Sequence, residues 1–111
     1  MRPDKEKALQ YGEPAPALLW AKGRASGYYF KIQEGTGDNL LQEDIDEGYV
    51  DYIYYDYYSS LSDIDEGDPH DGGMYYLKRL YQDMTLGEVI KCIEEFENEE
   101  LEVLETYPFR S

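Results

Sequence analysis

Between Ile32 and Leu77 the chain has no lysine and no arginine. The same stretch carries thirteen acidic residues, so nearly all of the formal charge of −15 resides there. Binding to nucleic acid or to an anionic membrane depends on Lys and Arg neutralising phosphates, so this missing basic character argues against direct contact with either polyanion. Cysteine is equally scarce. The one residue of its kind, Cys92, excludes an internal disulfide and a multi-cysteine metal site, suits a reducing compartment, and is expected to serve as a small buried or half-buried hydrophobe. There is one histidine, His70, with no nucleophile pattern and no Gly-rich phosphate loop beside it, so no enzyme activity is expected. No apolar run approaches the roughly 18 to 20 residues of a membrane span, and no apolar region follows the charged start Met1 to Lys7, so a signal peptide is not expected and a cytoplasmic location is.

What the chain has in quantity is tyrosine. Thirteen are present among 111 residues, eight of them between Tyr49 and Tyr76, interleaved with the acids. High charge with low mean hydropathy is the signature of disorder, but an aromatic content of 15% opposes it, and a folded core with acidic loops is the expectation. The length fits one domain, 1–111, in which the Pro-bearing residues 1–16 read as a tail or edge-covering arm with at most a short helix around Lys5 to Tyr11.

Local patterns then place the elements. Leu18-Leu19-Trp20 begins the apolar material, and residues 27–32 read as an aromatic strand closed by a turn cluster at 35–39. Residues 40–48 read as loop or a short helical turn, and residues 49–58 as the best strand, being dense in aromatic and β-branched side chains. Alternation puts Tyr49, Asp51, Ile53, Tyr55 and Tyr57 on one face of it and Val50, Tyr52, Tyr54, Asp56 and Tyr58 on the other. An acidic loop over 59–73 precedes a second strand candidate at 74–81, for which a helix is nearly as good a reading. A helix over about 86–98 follows from Thr85 and Glu88 as a capping box and from Leu86, Val89, Ile90, Ile93 and Phe96 at helical spacing. Residues 101–107 alternate as a last strand. The sum is an α+β class: a small antiparallel sheet of three to four strands with one main amphipathic helix.

One repeat is identical in both copies: Asp44-Ile45-Asp46-Glu47-Gly48 and Asp63-Ile64-Asp65-Glu66-Gly67. Oxygen ligands at alternate positions before a glycine turn are how calcium is caged, but neither copy keeps the EF-hand order, so a pair of acidic turns is the plainer reading. No cofactor is expected. Glu94, Glu95, Glu97, Glu99 and Glu100 crowd the end of the main helix where the macrodipole favours cations, and a chain keeping such self-repulsion either needs solubility or uses the field. If it is used, carboxylates at alternate strand positions lie about 6–7 Å apart, the order of successive phosphates, and tyrosines between them add a polar and stacking surface.

Asp71-Gly72-Gly73-Met74-Tyr75-Tyr76-Leu77, followed by Tyr81 and Thr85-Leu86-Gly87-Glu88-Val89-Ile90, resembles short acidic accessory proteins of Firmicutes conjugative elements and phages. The resemblance covers about a third of the chain; it implies an accessory protein of a mobile element and no residue roles. The expectation is a non-enzymatic acidic protein that presents its middle to a basic protein partner, its specific form being a DNA mimic inhibiting a nucleic-acid enzyme. The residues expected at the contact are Asp44, Asp46, Glu47, Asp51, Asp56, Asp63, Asp65, Glu66, Asp68 and Asp71, with Tyr52, Tyr54, Tyr57 and Tyr58. The alternatives are a divalent-metal (calcium) module built on the repeats and a structural accessory protein whose charge serves solubility alone.

Overall fold

A run of aromatic and β-branched residues suits a pleated surface better than a helix, where χ1 freedom is lost. In the computed structural model, which describes residues 12–35 and 40–104, that run forms β3, Asp51–Tyr58. β3 lies inside a five-stranded antiparallel sheet with β1 (Leu18–Gly23), β2 (Tyr29–Glu34), β4 (Asp71–Leu77) and β5 (Leu101–Leu104). The spatial order is β4-β3-β2-β1-β5. Two short helices interrupt the meander, α1 (Gln42–Asp46) before β3 and α2 (Leu61–Glu66) after it, and the main helix α3 (Leu86–Glu97) follows a 3-10 turn at Tyr81–Asp83. α3 carries the chain from the β4 edge back to the far edge, where β5 pairs with β1.

The class is α+β as expected, with five strands in place of three to four. β1 is the added strand. Its Leu19, Trp20 and Ala21 are all buried, because the sheet is covered on both faces there, and a strand of that kind shows no alternation to read. β4 begins three residues earlier than expected and ends four earlier, pairing Asp71, Gly72 and Gly73 with Tyr57, Asp56 and Tyr55. Gly-Gly reads as a loop, yet here the strand needs it: a Cβ on Gly73 would sit 2.9 Å from the Tyr55 hydroxyl, whose ring lies across the gap. The acidic loop expected over 59–73 likewise contains α2.

Cross-strand register sorts the side chains as the alternation of β3 requires. One face carries Leu19, Ala21, Phe30, Ile32, Ile53, Tyr55, Leu77 and Leu101, packed beneath Leu86, Val89, Ile90 and Ile93 of α3 with Tyr81 and Met84. The opposite face holds a smaller cluster in which Ile64 of α2 covers Trp20 and Tyr58. α3 has the expected box: Thr85 Oγ1 accepts from the Glu88 N–H at 3.2 Å, and Glu88 Oε1 accepts from the Thr85 N–H at 2.9 Å. Asn98 closes the helix in the left-handed conformation. Phe96 departs from the expected buried stripe; it is 57% exposed and stands edge-on to Tyr55 and Tyr75. In the arm, Ala15 donates to the Met84 carbonyl and the Pro16 carbonyl accepts from the Tyr81 hydroxyl at 2.6 Å, so residues 13–16 are tied to the start of α3. The helix expected around Lys5 to Tyr11, the turn residues 36–39 and the end of the strand expected over 101–107 lie outside the described residues.

Asp51 joins the sheet to the 3-10 turn. It is 7% exposed; Oδ1 accepts from the Tyr52 N–H and Oδ2 from the Tyr81 N–H, both at 2.8 Å. Removing a buried acceptor strands its donors, at a cost of about 1–3 kcal/mol. Asp51→Ala should therefore lower the unfolding free energy by that amount, read as a lower urea midpoint with an unchanged m-value; an unaltered midpoint would show that solvent satisfies the Tyr81 N–H.

Candidate functional site

The two copies of Asp-Ile-Asp-Glu-Gly fold alike. In each, the glycine takes positive φ (100° at Gly48, 69° at Gly67) and its N–H returns to the isoleucine carbonyl, while the next N–H returns to the first aspartate's carbonyl. The first aspartate of each copy is also used locally: Asp44 Oδ2 accepts from the Leu41 N–H, and Asp63 Oδ2 accepts from the Ser59 hydroxyl. What differs is the isoleucine, since Ile64 is 7% exposed against the sheet and Ile45 is 50% exposed. β3 separates the copies along the chain, and its eight residues span roughly 25 Å at about 3.3 Å per residue.

The expected contact residues therefore divide. Asp46, Glu47, Asp65, Glu66, Asp68, Asp71 and Tyr54 are exposed, and Asp44, Asp56, Asp63 and Tyr57 are half-buried. Asp51, Tyr52 and Tyr58 are buried and fall outside any surface a partner could touch: Asp51 is held by backbone donors, Tyr52 packs on Gly35, and Tyr58 packs on Trp20 and Ile64. The carboxylate ladder expected along the strand is also not what β3 carries. Asp51 and Asp56 are five residues apart, so they point to opposite faces, and burial pushes the Asp56 carboxyl above its usual range despite its cross-strand partner Lys31. The turns at the two ends of β3 carry exposed charge, as Asp83, Glu95 and Glu102 do elsewhere on the surface.

Four of the five glutamates expected as misplaced like charges at the end of α3 are engaged by donors, while Glu95 stays exposed. Glu99 fills the β1–β2 hairpin loop, its carboxylate accepting from the Ala25 and Ser26 N–H groups at 3.1 and 3.0 Å and from the Ser26 hydroxyl at 2.9 Å. Glu94 accepts from the Leu101 N–H at 2.9 Å, Glu97 accepts from the Tyr55 hydroxyl, and Glu100 pairs with Arg24 at 3.4 Å. Sequence spacing within the helix could not show these acceptors, because their partners come from the β1–β2 loop, β3 and β5.

Two further places bring side chains together. A groove of about 440 Å³ is lined by Tyr49, Tyr75, Tyr76, Lys78, Arg79 and Cys92, among others. Its cations are engaged, Lys78 over the Tyr49 ring at 5.4 Å and Arg79 with Glu88, and burial pushes the half-buried Cys92 thiol up, away from thiolate chemistry. At the opposite end of β4, Tyr28, Tyr57 and His70 form a mutual ring cluster with centroids 5.2–5.7 Å apart, the two tyrosines nearly parallel at 14°. Of this trio only Tyr57 was legible as a site residue; Tyr28 and His70 arrive through pairing of β2 with β3 and of β3 with β4. Burial raises the Tyr57 phenol, and the Asp71 and Glu97 carboxylates raise it further.

Among the described residues no three His, Cys, Asp or Glu converge as a metal site, and no helix is long and apolar enough to cross a membrane. No protein-family model matches the chain, and neither a curated protein nor a solved structure matches it.

Because the Asp56 carboxyl titrates higher folded than unfolded, its ionisation opposes folding at neutral pH, and that opposition is absent below the unfolded value. Asp56→Asn should raise the melting temperature at about pH 7, with the gain vanishing near pH 3, where the carboxyl is uncharged in both states. A lower melting temperature at neutral pH would mean that the Lys31 pair outweighs burial.

Proposed function

We propose that this is a non-enzymatic acidic binding protein that presents the turns flanking β3 to a basic protein partner. The observation that carries the reading is the division of its carboxylates. Asp51, Glu94, Glu97 and Glu99 accept hydrogen bonds that hold the fold, whereas the side chains of Glu47, Asp65, Glu66 and Asp68 are exposed and, among the described residues, engaged by no hydrogen bond or ion pair. Uncompensated like charge destabilises a compact chain, so its retention in two folded turns favours a use for the field. Complementary charge steers encounter and selects the partner.

A DNA mimic is the specific form of this reading. What supports it is the placement of acidic turns before and after β3, a strand roughly 25 Å long, which along a duplex axis matches some seven phosphates of one strand at roughly 3.4 Å of rise each. Such a surface fits a basic cleft built for nucleic acid. The resemblance to accessory proteins of mobile elements agrees with it, since counter-defence proteins travel on the same elements. The calcium reading gains nothing comparable, because the two repeats stand at opposite ends of β3 and spend their first aspartates on local hydrogen bonds.

The test is capture from nuclease-treated bacterial lysate on the tagged protein, eluted by a salt ramp, in parallel with the variant Glu47→Gln, Asp65→Asn, Glu66→Gln, Asp68→Asn. Expected is capture of a nucleic-acid enzyme, released as salt rises and lost with the variant, whose melting temperature equals or exceeds that of the parent protein. Undiminished capture by the variant would exclude the turns as the contact, and loss of binding together with loss of folding would make them structural.

A further inference from the structure

Two tyrosine rings in this chain carry a lysine over their faces. Lys22 lies over Tyr29 at 5.1 Å and Lys78 over Tyr49 at 5.4 Å. The densest ring cluster that is open to solvent, Tyr28 with Tyr57 and His70, has no such cation among the described residues. Its tyrosines are half-buried and His70 is exposed, so part of the ring surface faces outward. It is built firmly: Phe30 backs Tyr57 at 5.2 Å, the His70 N–H donates to the Tyr57 carbonyl at 2.8 Å, and β2, β3 and β4 supply or flank every ring. Asp71 begins β4 directly after His70, and Glu97, at the end of α3, accepts from the hydroxyl of Tyr55, which shares a face of β3 with Tyr57.

We propose that Tyr28, Tyr57 and His70, rimmed by Asp71 and Glu97, form a receptor for an arginine side chain of the basic partner. The proposal rests on the reading of this protein as an acidic binder and names the group that the partner inserts. A guanidinium fits better than an ammonium for two reasons. Its plane stacks on aromatic faces while its N–H fork reaches carboxylates at the rim, and it is more weakly hydrated, so desolvation against the rings is less costly. The surrounding acidic turns steer the cation in, and the ring cluster fixes where it lands. Face, rim and field are thus supplied by five segments distant in sequence.

The probe is a hexa-arginine peptide titrated at low salt against the full chain, followed by ring and amide NMR shifts, with hexa-lysine as the charge-matched control. Expected are saturating shifts at Tyr28, Tyr57 and His70, tighter binding of the arginine peptide than of the lysine peptide, and about tenfold weaker binding of Tyr28→Leu, with Tyr28→Phe close to the parent. An unchanged amide spectrum away from residue 28 establishes that the leucine variant is folded. Should that variant not fold, His70→Leu, at an exposed position, gives the same readout. Shifts confined to the turns at Glu47 and Asp65 to Asp68, with the rings silent, overturn the receptor and leave the acidic surface standing. Absence of any binding by hexa-arginine at low salt overturns both.

Discussion

Everything in this molecule is arranged around β3 being shared between two cores. Successive residues of a strand point to opposite faces, so a strand buried on both sides must offer side chains fit for burial at nearly every position. Tyrosine meets that demand in an acidic chain because the ring body is buried while the hydroxyl finds a partner. Ile53 and Tyr55 thus enter the core under α3, and Tyr52 and Tyr58 enter the opposite face. Once β3 is committed in this way its two carboxylates have no free face: Asp51 is enclosed by backbone donors and Asp56 is partly desolvated. The exposed charge of this part of the chain therefore lies in the turns that enter and leave the strand.

The acidic residues then fall into two physical populations. Those at strand and helix ends act as acceptors for N–H and O–H groups that the antiparallel meander leaves over, as Glu99 does for the hairpin loop and Glu97 for the Tyr55 hydroxyl. An acceptor that is ionised makes a stronger bond than a neutral one, so negative charge here contributes to the fold. The residues of the second population, in the repeats and the loop after them, stand in water and repel one another. Their repeated Gly-terminated turn keeps them on the surface, because the helical bonds consume the backbone and the first aspartate and leave the second aspartate and the glutamate outside.

Much of the fold was legible because local signals coincide with tertiary demand. The capping box of Thr85 and Glu88 marks α3, and the two faces of β3 emerge from alternation alone. β1 was hidden because burial on both faces erases its period, and the start of β4 because Gly72-Gly73 imitates a turn where the sheet in fact needs room for Tyr55 and Asp56. Of the candidate site, the exposed turn carboxylates could be read directly, whereas the burial of Asp51, Tyr52 and Tyr58 could not, since it depends on which strands flank β3. The Tyr28–Tyr57–His70 cluster is invisible in sequence for the same reason: its members are joined by cross-strand register.

On the proposed reading, the exposed acidic turns are kept against the interest of the fold. The most direct measurement is the melting temperature of the purified protein between about 0.02 and 0.5 M sodium chloride, a range over which the screening length falls from roughly 20 to 4 Å. The melting temperature is expected to rise with salt, as repulsion between the turns is screened while the buried cores and internal hydrogen bonds are untouched. A fall with salt would contradict that reading, by showing that the exposed carboxylates stabilise the fold through ion pairs.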